Sequence, residues 1–131
     1  MSGENVEIMR RVFQLANEGD LESVAAAYAE DAVLYGPQDW PEPGPWHGRE
    51  AILVELRRLW EDFEGDLVIE DLAAHGDWVL VRHAWRVRGS RSGVPGEFHI
   101  TLAAHLRDGE VDEARYFWQH AQALEAAGAA G

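Results

Sequence analysis

Cysteine is absent from this chain, which excludes disulfides, thiolate nucleophiles and cysteine-ligated zinc. Lysine is absent as well, since all eleven basic residues are arginine. No lysine nucleophile or Schiff base is therefore available. Positive charge is scarce overall: 11 basic residues face 24 acidic ones, and the formal charge is −13. Such a surface repels nucleic acid and anionic lipid, so neither is an expected partner, and the acidity serves solubility. Apolar runs are too short to span a bilayer. The stretch Met1-Ser2-Gly3-Glu4-Asn5 is acidic with no apolar segment behind it, so no signal peptide is expected. With the missing cysteine, this points to a reducing, cytoplasmic setting. There is no glycine-rich phosphate loop, no dinucleotide fingerprint and no nucleophile elbow, so nucleotide binding and serine-hydrolase chemistry have no support.

What is present suits one domain over residues 1–131. The chain is 47% hydrophobic, and at this length a core forms without covalent staples. The first half reads as helix. Val6, Met9, Val12, Phe13 and Ala16 recur at helical spacing, and Gly19 is placed to end that run in a left-handed turn. Asp20 can cap a second short helix carrying Leu21, Val24, Ala25 and Tyr28. A short strand, Ala32 to Tyr35, leads into a loop with four prolines between Gly36 and Pro45. A third helix begins near Gly48, with an apolar stripe of Ile52, Leu53, Leu56, Leu59, Trp60 and Phe63, and Gly65 is expected to stop it.

The second half reads as strands: Leu67 to Ala74, Trp78 to Arg88, Glu97 to Arg107, and Glu110 to about Trp118. Gly76-Asp77 and Asp108-Gly109 mark tight turns, and Gly89 to Gly93 a looser one. A short helix closes the chain from Ala121 to Ala127, and a frayed tail from Ala126 on is expected. Alternation separates Arg82, Arg86 and Arg88 from Val79, Val81, His83, Trp85 and Val87. It likewise places Phe98, Ile100, Leu102, Ala104, Leu106, Ala114, Tyr116 and Trp118 on the apolar face, where the helices should pack.

The order of Asn17-Glu18-Gly19-Asp20-Leu21, Glu30-Asp31-Ala32-Val33, Trp46-His47-Gly48-Arg49-Glu50-Ala51-Ile52, Leu106-Arg107-Asp108-Gly109-Glu110-Val111 and Ala123-Leu124-Glu125-Ala126-Ala127-Gly128 resembles the SnoaL-like branch of the NTF2-like superfamily. The resemblance covers nearly the whole chain. It implies an α+β fold, a cone-shaped barrel with three N-terminal helices packed on a curved, mostly antiparallel sheet, and a pocket between them. It also implies a homodimer through the outer sheet face, here Arg82, Thr101, Ala103, His105 and Phe117. Ketosteroid isomerases of this fold act through a phenol and two aspartates, and the matching positions here are Val12, Gly36 and Ala104. In limonene-epoxide-hydrolase-like members only the tyrosine matches, at Tyr35; the other positions hold Pro37, Arg82 followed by Ala84, and Tyr116. The aspartate that many relatives carry near the end of the last strand is Gln119.

The candidate catalytic residues are His83, Tyr35 and Tyr116: a histidine to move a proton and phenols to donate to a developing oxyanion. A satisfied histidine in an aromatic core fits the same pattern. Trp40, Trp46, Trp60, Trp85 and Trp118 are the candidate ligand-binding wall, suited to a small apolar, cyclic or polyketide-like molecule. Asp39 and Glu42 are the carboxylates expected nearest the pocket mouth. His83, His99 and His105 do not share a face, so no metal site is expected, and no cofactor is implied. Two functions follow as expectations. One is ligand binding with cofactor-free acid–base isomerase, cyclase or hydrolase chemistry; the other is a non-catalytic binding or dimerisation domain.

Overall fold

A computed structural model describes residues 2–40, 44–89, 93 and 95–128. Helix α1 (Ser2–Asn17) buries Asn5, Met9, Val12, Phe13 and Ala16 along one stripe, as its 3.6-residue period requires. Gly19 adopts φ +78° beyond its end, a conformation that costs glycine nothing. Asp20 then caps α2 (Leu21–Ala26), accepting from the Ser23 amide at 3.2 Å and the Ser23 hydroxyl at 2.7 Å. These bonds hold its carboxyl below the ordinary carboxylate range.

Strand β1 (Tyr28–Tyr35) starts four residues earlier than the alternation suggests, so Tyr28 opens a strand rather than closing α2. A two-residue strand β2 (Trp46–His47) pairs antiparallel with it. Helix α3 (Arg49–Asp62) follows, tied to β1 by Arg49, whose Nε and Nη2 both donate to the Tyr28 carbonyl at 2.9 and 2.7 Å. Gly65 does not end α3. The chain turns extended at Phe63, and Gly65 lies within β3 (Phe63–His75). A Cβ there would run into the Arg86 carbonyl of the neighbouring strand, so close backbone approach explains this glycine.

Strands β4 (Trp78–Gly89), β5 (Pro95–Arg107) and β6 (Glu110–Phe117) complete a six-stranded sheet in the order β2-β1-β6-β5-β4-β3. Among the described residues β1 and β6 run parallel and the other neighbouring strands antiparallel. The sheet curves but stays open, with β2 and β3 as its edges. Register breaks at Ile69/Asp71 and His105/Leu106 bend long strands that would otherwise lie flatter. The Asn17 side chain clamps α1 to this wall: its amide donates to the Leu67 carbonyl at 2.9 Å and accepts from the Leu67 amide at 2.7 Å.

The main core lies between α1, α3 and the concave face, around Met9, Phe13, Ile52, Val79, Val81, Leu102, Leu106 and Val111. The outer face is not fully free for a second copy. Helix α4 (His120–Ala126) folds back on it, so Ala123 packs with Leu80 and Ala103. Thr101 is buried there, its hydroxyl 3.0 Å from His120 Nδ1. Arg82 remains exposed, Phe117 packs against this second cluster, and His105 is held 2.6 Å from Asp112. Among the described residues no helix is long and apolar enough to cross a membrane.

Candidate functional site

The helices fill only part of the concave face. At the other end, between α3, β1 and strands β3 to β6, lies a partly open cavity of about 90 Å³. Strand alternation supplies its walls. Leu34 comes from β1, Leu67 from β3, His83 and Trp85 from β4, and Phe98 and Ile100 from β5; Tyr116 comes from β6, with Trp118 just beyond it. Helix α3 adds Glu55, Leu56, Leu59 and Trp60, and the loop side adds Pro37, Trp40 and Trp46.

The aromatic rings form one connected set. Trp60 and Trp85 lie nearly parallel with centroids 6.2 Å apart. Trp40 contacts Trp85, Phe98 and Trp118 at 6.4, 5.9 and 6.1 Å. Two indoles are pinned by their N–H groups: Trp60 donates to the Ala16 carbonyl at 3.1 Å, and Trp118 to the Gln38 carbonyl at 2.7 Å. These bonds hold the two indoles in place at the cavity wall.

Three polar side chains interrupt this apolar lining. His83 is 2% exposed, with its ring edge-on to Phe13 at 4.7 Å and Tyr116 at 6.3 Å. Its Nδ1 lies 2.9 Å from the Val81 carbonyl. A carbonyl only accepts, so Nδ1 carries the proton and Nε2 presents a lone pair. Burial pulls the His83 pKa down to about 4 against the opposing effects of that bond and the Glu70 charge. The ring is therefore neutral at pH 7. Burial pushes the Tyr116 phenol up to about 12, so it stays protonated and can donate. Among the described residues, His83 Nε2 and the Tyr116 hydroxyl have no hydrogen-bond partner, yet no fully buried polar atom is left unsatisfied. Both atoms accordingly open onto the cavity.

Glu55 is the third polar group. It is buried on α3 and accepts two bonds from Arg58, Nε to Oε1 at 2.7 Å and Nη2 to Oε2 at 2.8 Å. Arg58 also approaches Asp62 at 3.7 Å. This glutamate is not among the expected site residues, yet its spacing carries a signal. Position 55 lies three residues after Ile52 and four before Leu59, squarely on the buried stripe of α3. Phe98 likewise belongs to the wall and was expected only as part of the apolar face.

Trp40, Trp46, Trp60, Trp85, Trp118, His83 and Tyr116 all line the cavity. Tyr35 does not. It follows Leu34, which points inward, so strand alternation turns it to the opposite face, where the Arg115 guanidinium sits 4.2 Å from its ring centroid. Asp39 is exposed in a left-handed conformation, φ 66°, and is absent from the lining. Glu42 lies outside the described residues. His99 is exposed between Glu70 and Glu97, whose carboxylates raise its pKa. Among the described residues no group of three or more histidine or acidic side chains converges to hold a metal ion.

Helices packed on one side of a curved, mostly antiparallel sheet, with a cavity between them, define an NTF2-like protein. More narrowly, the chain belongs to the SnoaL-like domain family, whose profile matches residues 9–114. Solved structures agree on the fold. An NTF2-like protein from Burkholderia xenovorans is 26% identical, with 97% of each chain covered and a TM-score of 0.75. A ketosteroid-isomerase-like protein from Catenulispora acidiphila, solved in complex with trimethylamine, is 15% identical with a TM-score of 0.77, covering 93% of this chain and 92% of its own. An LEH-like epoxide hydrolase from M. tuberculosis is 17% identical with a TM-score of 0.75, covering 96% and 92%. No curated protein matches the sequence.

Proposed function

We propose that the cavity binds a small, mainly apolar, ring-containing molecule. The observation that carries this reading is the pairing of an aromatic wall with two unpartnered polar atoms, a lone pair on His83 Nε2 and a donor on the Tyr116 hydroxyl. Trp40, Trp46, Trp60, Trp85 and Trp118 supply contact area, while His83 and Tyr116 orient one polar end of the ligand. Equilibrium titration with a neutral naphthalene fluorophore such as prodan tests it. Saturable one-to-one binding with a blue-shifted emission is expected, weakened by Trp85→Ala. Emission that stays at the aqueous value up to the solubility limit would refute the reading.

A second reading, cofactor-free isomerase, cyclase or hydrolase chemistry in the same cavity, is favoured by Glu55. A buried carboxylate lies on the wall of a cavity that also holds a phenol donor. In that reading Tyr116 donates to a developing oxyanion, and His83 or Glu55 takes a proton. With its pKa near 4, His83 is a weak base at neutral pH, which limits it to substrates with acidic protons. Turnover of a cyclic ketone or epoxide that is lost in both His83→Ala and Tyr116→Phe, with folding intact, would establish catalysis. Retained turnover in both variants would exclude these residues from it.

A further inference from the structure

The proposed reading leaves the charge of the ligand open, and the wall of the cavity selects one. Among the described residues that line it, Glu55 is the only side chain with a formal charge at pH 7, because His83 is neutral and no arginine takes part. Lysine is absent from the chain. An anion entering the cavity would find no cation to pair with, and would face a buried carboxylate.

A cation would meet the reverse. Trp40, Trp60, Trp85, Phe98 and Trp118 all line one space and touch one another, with contacting centroids between 5.9 and 6.4 Å. Indole faces are the strongest of the natural cation–π partners, and their attraction grows as water is excluded. Glu55 adds a carboxylate on the same wall. Its partner Arg58 offsets that charge only in part. The Glu55 side chain is 5% exposed and Arg58 is 40% exposed, so solvent screens the guanidinium more than the carboxylate. The net charge of −13 further draws cations toward the protein. The lone pair on His83 Nε2 completes the set, since it accepts an N–H from a protonated amine.

We infer that the cavity prefers a lipophilic ammonium ion, an amine or quaternary nitrogen on an apolar body, with Glu55 and the indole cluster recognising the charge. The inference rests on the reading that a small ring-containing molecule binds here. Two probes of the same shape separate the claims: N,N,N-trimethylanilinium and tert-butylbenzene differ only in a charged nitrogen replacing a carbon. Equilibrium dialysis of each at pH 7 should show the ammonium bound at least tenfold more tightly. Glu55→Gln should bring that preference below about threefold, while tert-butylbenzene affinity stays within about twofold. Trp85→Leu, an independent variant, should reduce the preference without relying on α3. Equal or tighter binding of tert-butylbenzene by the wild-type protein overturns the ammonium inference and leaves the apolar-ligand reading standing. A preference unaltered in Glu55→Gln also overturns it. Failure of both probes to bind overturns the apolar-ligand reading itself.

Discussion

The concave face of the sheet has two halves that the sequence fills differently. Under α1, Met9, Val12 and Phe13 share one close-packed, mainly apolar cluster with Val79, Val81 and Leu102. At the other half the same strands continue into Trp85, Phe98 and Trp118, whose rings stand around empty space. His83 sits at the boundary, one alternation step along β4 from Val81. The filled half holds the fold together, and the open half gives up packing contacts to keep a cavity. His83 and His99 give the same contrast across the sheet, on neighbouring strands. Burial lowers the pKa of the inner histidine, and two carboxylates raise that of the outer one.

Substitutions can break this contrast or sharpen it. The largest effect belongs to the filled half. Met9→Ala should cost about 3 kcal/mol, since Met9 is fully buried and its loss leaves a void. A fall in the urea midpoint with an unchanged m-value checks this.

Next comes the pH response of His83. Unfolded, it binds a proton near the ordinary histidine value of 6.5; folded, it does so only near 4. Between those values the unfolded chain binds more protons, so the stability His83 allows at pH 7 is lost as pH falls through that window. The loss reaches roughly 3 kcal/mol by pH 4. Comparing wild type with His83→Leu at pH 7 and pH 4 isolates it from other titrating groups. The gap between them should move by that amount in favour of the variant at low pH.

Trp118→Phe should cost about 1 kcal/mol by removing the bond to the Gln38 carbonyl. It should also loosen prodan binding, because the wall loses its fixed ring. The smallest effect is at His99. It is fully exposed, so His99→Gln should leave the melting temperature within error at pH 7, and a drop of several degrees would show that its carboxylate pairs matter more than their exposure suggests.

Much of this was legible in the chain because periodicity reports burial. The α1 stripe, the faces of β4 and β5, and the Asp108-Gly109 turn all follow from spacing and turn chemistry. Misreadings fall where one period hands over to another. Tyr28 and Phe63 are apolar residues in phase with the preceding helix, so helical spacing claimed both although each opens a strand. Gly65 looked like a helix stop because only the third dimension brings the Arg86 carbonyl against it. Strand β2 is two residues long and carries no period at all.

The site was partly legible for the same reason. His83, Trp85, Tyr116 and Trp118 share the inward phase of their strands. Tyr35 is a phenol at the end of an inward-reading strand, but the inward Leu34 beside it puts it out of phase. Glu55 is a charged residue within an apolar stripe, which reads as a break in the pattern. Its position becomes meaningful only with Arg58 one turn away to hold its carboxylate.

Of the six tryptophans, five border the cavity, and the sixth, Trp78, packs edge-on to His105 at 5.1 Å outside it. Nearly all the ultraviolet emission of the protein therefore originates at the walls of the cavity. Neighbouring indoles at these separations exchange excitation and couple their transitions. Any molecule that wedges between them changes the near-ultraviolet dichroism as well as the emission, so the protein carries its own label for whether the cavity is occupied.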